Sequence, residues 1–272
     1  MQARISNPVA SPILVTGGTG TLGRLVVPRL QAAGREVRVL SRSRHEGAEF
    51  VTGDLATGEG IDAAVAGTEV VVHCAGSRKG DADKAWHLVR AASRSGVGHL
   101  VNVSVVGADR ITLAGGVDRA MFGYFGAKLA AERAVSDSGL PWTTLRATQF
   151  HAMVEKVARQ MARLPVIPVP AGFRLQPVDA DEVAARLVEC ALGAPAGLLP
   201  DFAGPRVYGM AALLRGYLRA GGTRRPILSV RVPGKAARAL RDGANLAPDR
   251  AVGHRTWEEF LAARGVRATE PA

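Results

Sequence analysis

Tyr124 and Lys128, in Tyr124-Phe-Gly-Ala-Lys128, stand four residues apart at the opening of a helix expected to run through Ala134, a spacing that brings both side chains to one face of it. A phenol, with an ordinary pKa of about 10, exchanges protons poorly at neutral pH. An ammonium beside it favours the phenolate, and proton exchange with a carbonyl or alcohol becomes feasible. A second pattern lies near the start of the chain, in Thr16-Gly-Gly-Thr-Gly-Thr-Leu-Gly23. Gly17, Gly20 and Gly23 fall at G-x-x-G-x-x-G, while Gly18, Gly20 and Gly23 also read as G-x-G-x-x-G. Either spacing suits a tight turn whose backbone N–H groups approach a dinucleotide pyrophosphate at a helix N-terminus.

The residues after the second strand select among dinucleotides. An NAD site usually places a carboxylate there, about 20 residues past the glycines, for the ribose 2′-hydroxyl. This chain has Ser41-Arg-Ser-Arg44 instead, and an arginine fork pairs with a 2′-phosphate that an acid would repel. NADP(H) is therefore favoured over NAD(H), with Arg42 as the principal contact and Arg44 second. Asp54 ends the third strand, placed either to accept from an adenine amine or to cap the following turn. Gln149, Phe150 and His151 follow the sixth strand, where carboxyl ends of parallel strands line a ligand crevice. His73 lies in an apolar strand and reads as a core histidine.

Positioning these groups requires strands alternating with helices. Strand candidates are 13–16, 36–40, 49–52, 69–74, 99–104 and 143–147, each a short run rich in Val, Ile, Leu or Thr. Leu22, Leu25, Val26, Leu30 and Ala33 form a helical stripe closed by Gly34. Pro28 inside that stripe predicts a bend rather than a break. Continuously apolar strands separated by helices mean an α/β fold, a Rossmann-type doubly wound parallel sheet with a small C-terminal α/β substrate-side region. The dinucleotide domain is expected over 11–150, with 176–193 returning to it. Residues 151–175 and 194–272 form the substrate side. There, Leu164-Pro-Val-Ile-Pro-Val-Pro170 cannot be a regular helix. A strand is expected at 176–179 and another at 227–232, with helices at 181–192, at 210–220 and from Thr256, where Thr256-x-x-Glu259 is a capping box.

Composition bounds the rest. Of 272 residues, 47% are hydrophobic and 22% charged, which excludes a disordered chain. No apolar run approaches the roughly 18 residues that span a bilayer, and the first twelve residues lack a signal-peptide pattern. Two cysteines make neither a disulfide framework nor a metal spacing, so no metal site is expected and a cytoplasmic setting is. Of the net charge of +11, +8 falls between Arg206 and Arg250, where ten Lys/Arg face two Asp/Glu. An anionic substrate or partner is one reading of that run, and arginine-rich solvated helix faces the other. Nothing interleaves it with aromatic residues as nucleic-acid binding would require, and no membrane association is expected.

Taken in order, the loop Thr16–Gly23, Gly53-Asp-Leu55, His73-Cys-Ala-Gly76, Val103-Ser-Val-Val-Gly107, Tyr124–Lys128 and Leu145-Arg-Ala-Thr-Gln-Phe150 resemble the atypical short-chain dehydrogenase/reductase superfamily, near its NmrA-like, NAD(P)H-binding branch. The resemblance covers about residues 11–200. It implies the register of Gly17, Gly20 and Gly23, and adds Thr19, Thr21, Leu22, Leu55, Ala75 and Gly76 to the cofactor contacts. It further implies that Lys128 bonds the nicotinamide ribose and that Ser104 orients the substrate oxygen. The implied activity is hydride transfer to or from a carbonyl or alcohol, with Tyr124 as acid–base and a small-molecule substrate. One departure is His73-Cys-Ala-Gly76 where the typical enzymes carry an asparagine-rich motif. Two other functions share these motifs: a non-catalytic sensor of the NADP(H) ratio, and a nucleotide-sugar epimerase or dehydratase, which would prefer an acid where Arg42 stands.

Overall fold

A computed structural model of the chain describes residues 11–76 and 80–265. Of the first twelve residues, to which the signal-peptide expectation refers, ten lie outside them. The chain begins with β1 (Ile13–Thr16), α1 (Gly23–Ala32), β2 (Val37–Ser41), β3 (Phe50–Thr52), α2 (Ile61–Val65), β4 (Val70–His73), α3 (Asp81–Arg94) and β5 (His99–Val105). It continues through α4 (Gly116–Ser136), β6 (Trp142–Ala147), α5 (His151–Met161), β7 (Ile167–Pro170), β8 (Arg174–Leu175) and α6 (Ala180–Leu192). Last come β9 (Gly197–Leu198), β10 (Tyr208–Gly209), α7 (Met210–Ala220), β11 (Ile227–Val230), α8 (Lys235–Arg241) and α9 (Trp257–Arg264).

Seven strands form one sheet in the order β3-β2-β1-β4-β5-β6-β9. Ile13 pairs in parallel with Val37 on one side and Val70 on the other, so β1 is central. The first crossover runs outward through β2 to β3, and the next returns to β4 on the far side of β1. That reversal makes a topological switch point at the carboxyl ends of β1 and β4, where α/β sheets of the Rossmann type bind ligands. β1 and β4 are buried along their whole length, as strands covered on both faces must be. Pro28 sits inside α1, and the helix runs on past it to Ala32 with Val26 and Leu30 buried.

The chain divides into two compact units. One holds the chain up to Asn102 together with Ala131–Thr144 and Ala184–Gly197. Its core gathers Leu14, Leu40, Ile61, Val71, Leu88 and Leu100. The other holds Val103–Ala130, Leu145–Val183 and the chain from Leu198, so the division falls inside β5, α4, β6, α6 and β9. Its cores include Ile111, Phe173 and Leu240 in one cluster and Val154, Leu213, Trp257 and Phe260 in another. Thr256 caps α9 as the sequence indicates: its hydroxyl accepts from the Glu259 N–H, and the Glu259 carboxylate accepts from the Thr256 N–H at 2.8 Å.

Three elements differ from expectation. Residues 176–179 form no strand; Val178 makes an isolated bridge to Phe150, and the strand lies earlier, at Arg174–Leu175. The proline-rich stretch is no regular helix, as expected, but it carries a strand the sequence did not indicate, β7, paired in parallel with β11. α4 starts eight residues before Tyr124, at Gly116, rather than opening at the tyrosine. Asp118 lies in its first turn and accepts from the Ala114 N–H at 3.2 Å, while Phe122 and Phe125 pack on the Phe173–Leu240 cluster. That packing outweighs the glycines at 115, 116, 123 and 126.

Candidate functional site

The first unit builds a cradle at the switch point. Gly17, just past β1, has φ +68°, and a Cβ there would stand 2.7 Å from the backbone of Ala75. The Gly20 N–H donates to the Gly17 carbonyl at 2.9 Å, closing the turn. A Cβ on Gly23 would overlap that same carbonyl and the Gly18 Cα. Gly17, Gly18, Gly20 and Gly23 therefore pack on one another. Thr19, Gly20 and Thr21 form the exposed tip, and Leu22 and Gly23 are buried behind it. α1 has no side-chain cap and no acidic residue in its first turn. The Arg24 and Leu25 N–H groups already donate to the Gly20 and Leu22 carbonyls at 3.1 and 2.9 Å, so the helix dipole and the N–H groups before Arg24 are what the turn offers an anion, and the cradle fits a pyrophosphate. Ala75 is half-buried and Gly76 exposed beside it.

β2 and β3 end side by side, the Gly53 N–H donating to the Ser41 carbonyl at 2.9 Å. This brings the turns bearing Arg42 and Asp54 together. Arg42 and Arg44 are exposed and make no ion pair or hydrogen bond among the described residues. The Ser41 hydroxyl accepts from the Ser43 N–H at 3.3 Å and meets His45 Nε2 at 2.9 Å. The His45 ring stacks on Phe50, centroids 4.6 Å apart. His45 was not singled out by its spacing; only the fold brings it onto the serine that ends β2. Asp54 Oδ1 accepts from the Ala56 N–H at 2.8 Å, a turn-capping bond. Leu55 is buried, and its carbonyl meets His87 Nδ1 at 2.8 Å. His73 is a core histidine: its Nδ1 lies 2.7 Å from the buried Thr16 hydroxyl.

The acid–base candidates lie in the second unit. Tyr124 and Lys128 share a face of α4, with the Lys128 ammonium 6.0 Å from the centre of the Tyr124 ring. Tyr124 is 38% exposed whereas Lys128 is only 7% exposed, so the phenol is reachable and the charge is held within the protein. Ser104, near the carboxyl end of β5, is buried, and its hydroxyl has no partner among the described residues. An orphaned buried hydroxyl costs stability, which fits a group kept for a ligand oxygen.

The three residues after β6 are differently placed. Gln149 is buried, its Oε1 accepting from the Gln176 N–H at 3.2 Å and its Nε2 donating to the Asn245 carbonyl at 3.4 Å. Gln176 in turn donates to the Gly204 carbonyl at 2.8 Å and accepts from the Ala247 N–H at 2.9 Å. The Gln149 amide thus belongs to a network that ties the C-terminal loops together. Phe150 is half-buried at the N-cap of α5. His151 is 1% exposed, stacked on Phe260 at 5.0 Å and 6.0 Å from Trp257, and neither ring nitrogen has a hydrogen-bond partner among the described residues. Burial and Arg255 push its pKa down to about 4, against the opposing pull of Asp179 and Glu258. Burial would raise Asp179, but the Asp181 N–H and the Arg255 guanidinium at 2.7 Å hold it below the usual carboxylate range.

Among the described residues no cluster of His, Cys, Asp or Glu could hold a metal ion, and no helix is long and apolar enough to cross a membrane.

Strand order, glycine cradle and uncapped α1 define a Rossmann-type dinucleotide-binding protein. Residues 17–192 match the NAD(P)H-binding family model, and the chain belongs to that family. A reductase of Streptomyces griseus, named for a (4-alkanoyl-5-oxo-2,5-dihydrofuran-3-yl)methyl phosphate substrate, is 33% identical over 144 residues, covering 51% of this chain and 48% of that protein. An uncharacterized protein of Mycobacterium tuberculosis is 29% identical over 189 residues, 66% of this chain and 20% of its own length. The chain thus spans half or less of these relatives. Among solved structures, the NADPH complex of an Escherichia coli NADPH-dependent quinone oxidoreductase superposes with a TM-score of 0.75 at 17% identity, over 93% of this chain and 99% of that one. Citrobacter triphenylmethane reductase with NADP(H) gives 0.72 at 20%, again over 93% and 99%. The family match upholds the NAD(P)H-binding part of the resemblance, and the structural likenesses uphold the Rossmann-type fold it implies.

Proposed function

We propose that the chain is an NADP(H)-dependent oxidoreductase acting on a carbonyl or alcohol carbon. The observation that carries this reading is the Tyr124–Lys128 pair: an exposed phenol with a buried ammonium 6.0 Å from its ring. Gly17, Thr19, Gly20, Thr21, Leu22 and Gly23 hold the pyrophosphate, and Ala75 and Gly76 border it. Arg42, assisted by Arg44, takes the 2′-phosphate; Asp54 and Leu55 lie on the adenine side. The bound nicotinamide supplies or accepts the hydride. Tyr124 gives its proton to the carbonyl oxygen during reduction and takes it back from the alcohol during oxidation. Lys128 stabilises the resulting phenolate and bonds the ribose. The Ser104 hydroxyl donates to the same substrate oxygen and fixes its direction. Phe150 is proposed to flank the substrate, with Gln149 and His151 holding the backbone around it. The phosphate in the Streptomyces relative's named substrate supports a negatively charged substrate, as does the basic run from Arg206 to Arg250.

The test is a titration with NADPH and NADH, followed by a panel of carbonyls and quinones offered to the wild type and to Tyr124→Phe. Tighter NADPH binding and turnover lost in the variant are expected. Tighter NADH binding would remove the role given to Arg42. Firm NADPH binding with every substrate inert would make the chain a sensor instead.

A further inference from the structure

The two-stranded sheet of β7 and β11 is finished on one face only. Ile167 pairs with Ile227 and Val169 with Ser229, and Ile167, Val169 and Ile227 pack against Leu214 and Leu218 of α7. Strand alternation turns Pro168, Pro170, Leu228 and Val230 to the opposite face. Leu228 is 57% exposed, and Val230 and the adjoining Val166 are exposed as well. An apolar face is thus open to solvent.

The sheet's two edges differ. Ile167 donates to the Pro226 carbonyl at 2.9 Å and Ala171 to the Val230 carbonyl at 2.8 Å, so the odd-numbered residues of β7 face β11. Its outward positions are Pro168 and Pro170, which have no N–H to offer; that edge is closed to pairing. β11 carries no such block. The same alternation points the backbone groups of Ile227, Ser229 and Arg231 outward, and they make no hydrogen bond among the described residues.

The segments that carry the two strands are strongly basic. Lys156–Val178 and Arg206–Arg241 together hold thirteen Lys/Arg and no Asp or Glu. A cavity of about 290 Å³ at the leading end of β11 is lined by Arg163, Pro165, Arg224, Arg225 and Pro226. Arg163, Arg224, Arg225 and Arg231 are exposed and make no ion pair among the described residues.

We propose that β11 is a docking edge for an extended, acidic segment of a partner protein, which adds beside it as a third strand. The segment's backbone pairs with Ile227, Ser229 and Arg231. Its apolar side chains on one face cover Leu228 and Val230, and its carboxylates enter the arginine cup. A second copy of β11 does not suit this edge, because it would bring Arg224, Arg225 and Arg231 of both copies together. An anionic membrane would use the arginines and the apolar face but leave the backbone groups unpaired. The open edge therefore favours a peptide.

The probe is a labelled decapeptide of alternating Glu and Val, titrated into the full chain and followed by fluorescence anisotropy. An alternating Lys–Val peptide and vesicles of mixed phosphatidylglycerol and phosphatidylcholine serve as comparisons. The Glu–Val peptide is expected to bind and the Lys–Val peptide not to. Arg224→Glu with Arg225→Glu should weaken binding by about tenfold or more. Ser229→Pro removes only an outward N–H and should weaken it by at least about fivefold. In the wild type, the peptide should also slow amide exchange at Ile227, Ser229 and Arg231, a readout that needs no variant to fold. The proposal is overturned if the Glu–Val peptide does not bind, if it binds without protecting these amides, or if only vesicles bind.

Discussion

At Tyr124 the proposed chemistry has a specific consequence. Replacing the phenol by Phe keeps the ring over Lys128 and removes only the exchangeable proton. Turnover of an active carbonyl should fall by about 10²–10⁴, the usual contribution of a positioned acid–base, while NADPH affinity changes little. Single-turnover kinetics beside a binding titration separates the two, and loss of both would make Tyr124 structural instead. Arg42 makes the complementary case. Its guanidinium is exposed and makes no ion pair among the described residues, so Arg42→Ala should perturb the fold little. The NADPH dissociation constant should rise about tenfold or more, since a charge-assisted phosphate contact is lost. NADH, lacking the 2′-phosphate, should shift less than about twofold. Equal shifts for the two cofactors would remove Arg42 from the 2′-phosphate site.

α4 shows how tertiary packing overrides local propensity. Gly123 and Gly126 both lie in its interior, where each glycine costs about 1 kcal/mol relative to alanine. A Cβ on Gly123 meets nothing within 4 Å, whereas one on Gly126 would stand 2.8 Å from the Leu113 Cδ1. Gly123→Ala should therefore stabilise the chain by about 1 kcal/mol, raising the melting temperature by roughly 2–4 °C. Gly126→Ala should give less or none, because Leu113 must move. Equal gains in calorimetry would show that the Leu113 contact does not matter. The same contrast explains what could be read in the sequence. β1 and the glycine turn after it were legible because apolar runs and turn glycines are local signals, whereas the register of those glycines was open in the spacing alone. The early start of α4 was not, because it depends on Phe122 and Phe125 reaching Phe173 and Leu240. β7 was hidden by Pro168 and Pro170, which are tolerated only because they face the closed edge. The candidate site follows this division: Gly17, Tyr124 and Lys128 are announced by spacing. The orphaned Ser104 hydroxyl, the meeting of His45 with Ser41 and the engagement of Gln149 with Gln176 exist only in three dimensions.

The stability of the whole chain in acid depends on histidines that it buries neutral. His151 sits between Phe260 and Trp257 with no partner for either ring nitrogen among the described residues, and at the N-terminus of α5 the helix dipole further opposes a proton. Its pKa is about 4 in the folded chain against 6.5 for an ordinary histidine. Between those values the unfolded chain binds more protons than the folded one, so stability rises with pH across the window. Run the other way, stability is lost as pH falls from 6.5, and His151 adds no further loss below about 4. From pH 6.5 to 5 the expected loss is about 1.5 kcal/mol. His99, also lowered by burial, adds to the loss in the same direction. Asp179, held below its ordinary value by Asp181 and Arg255 against burial, loses its contribution only at lower pH, leaving this window to the histidines. His151→Phe keeps an aromatic ring in the stack and removes both orphaned nitrogens. Urea unfolding at pH 6.5 and 5, followed by tryptophan fluorescence, should show most of the wild-type loss abolished in this variant, with a remainder due to His99. An unchanged pH dependence would mean that His151 reaches water or a partner before the chain unfolds.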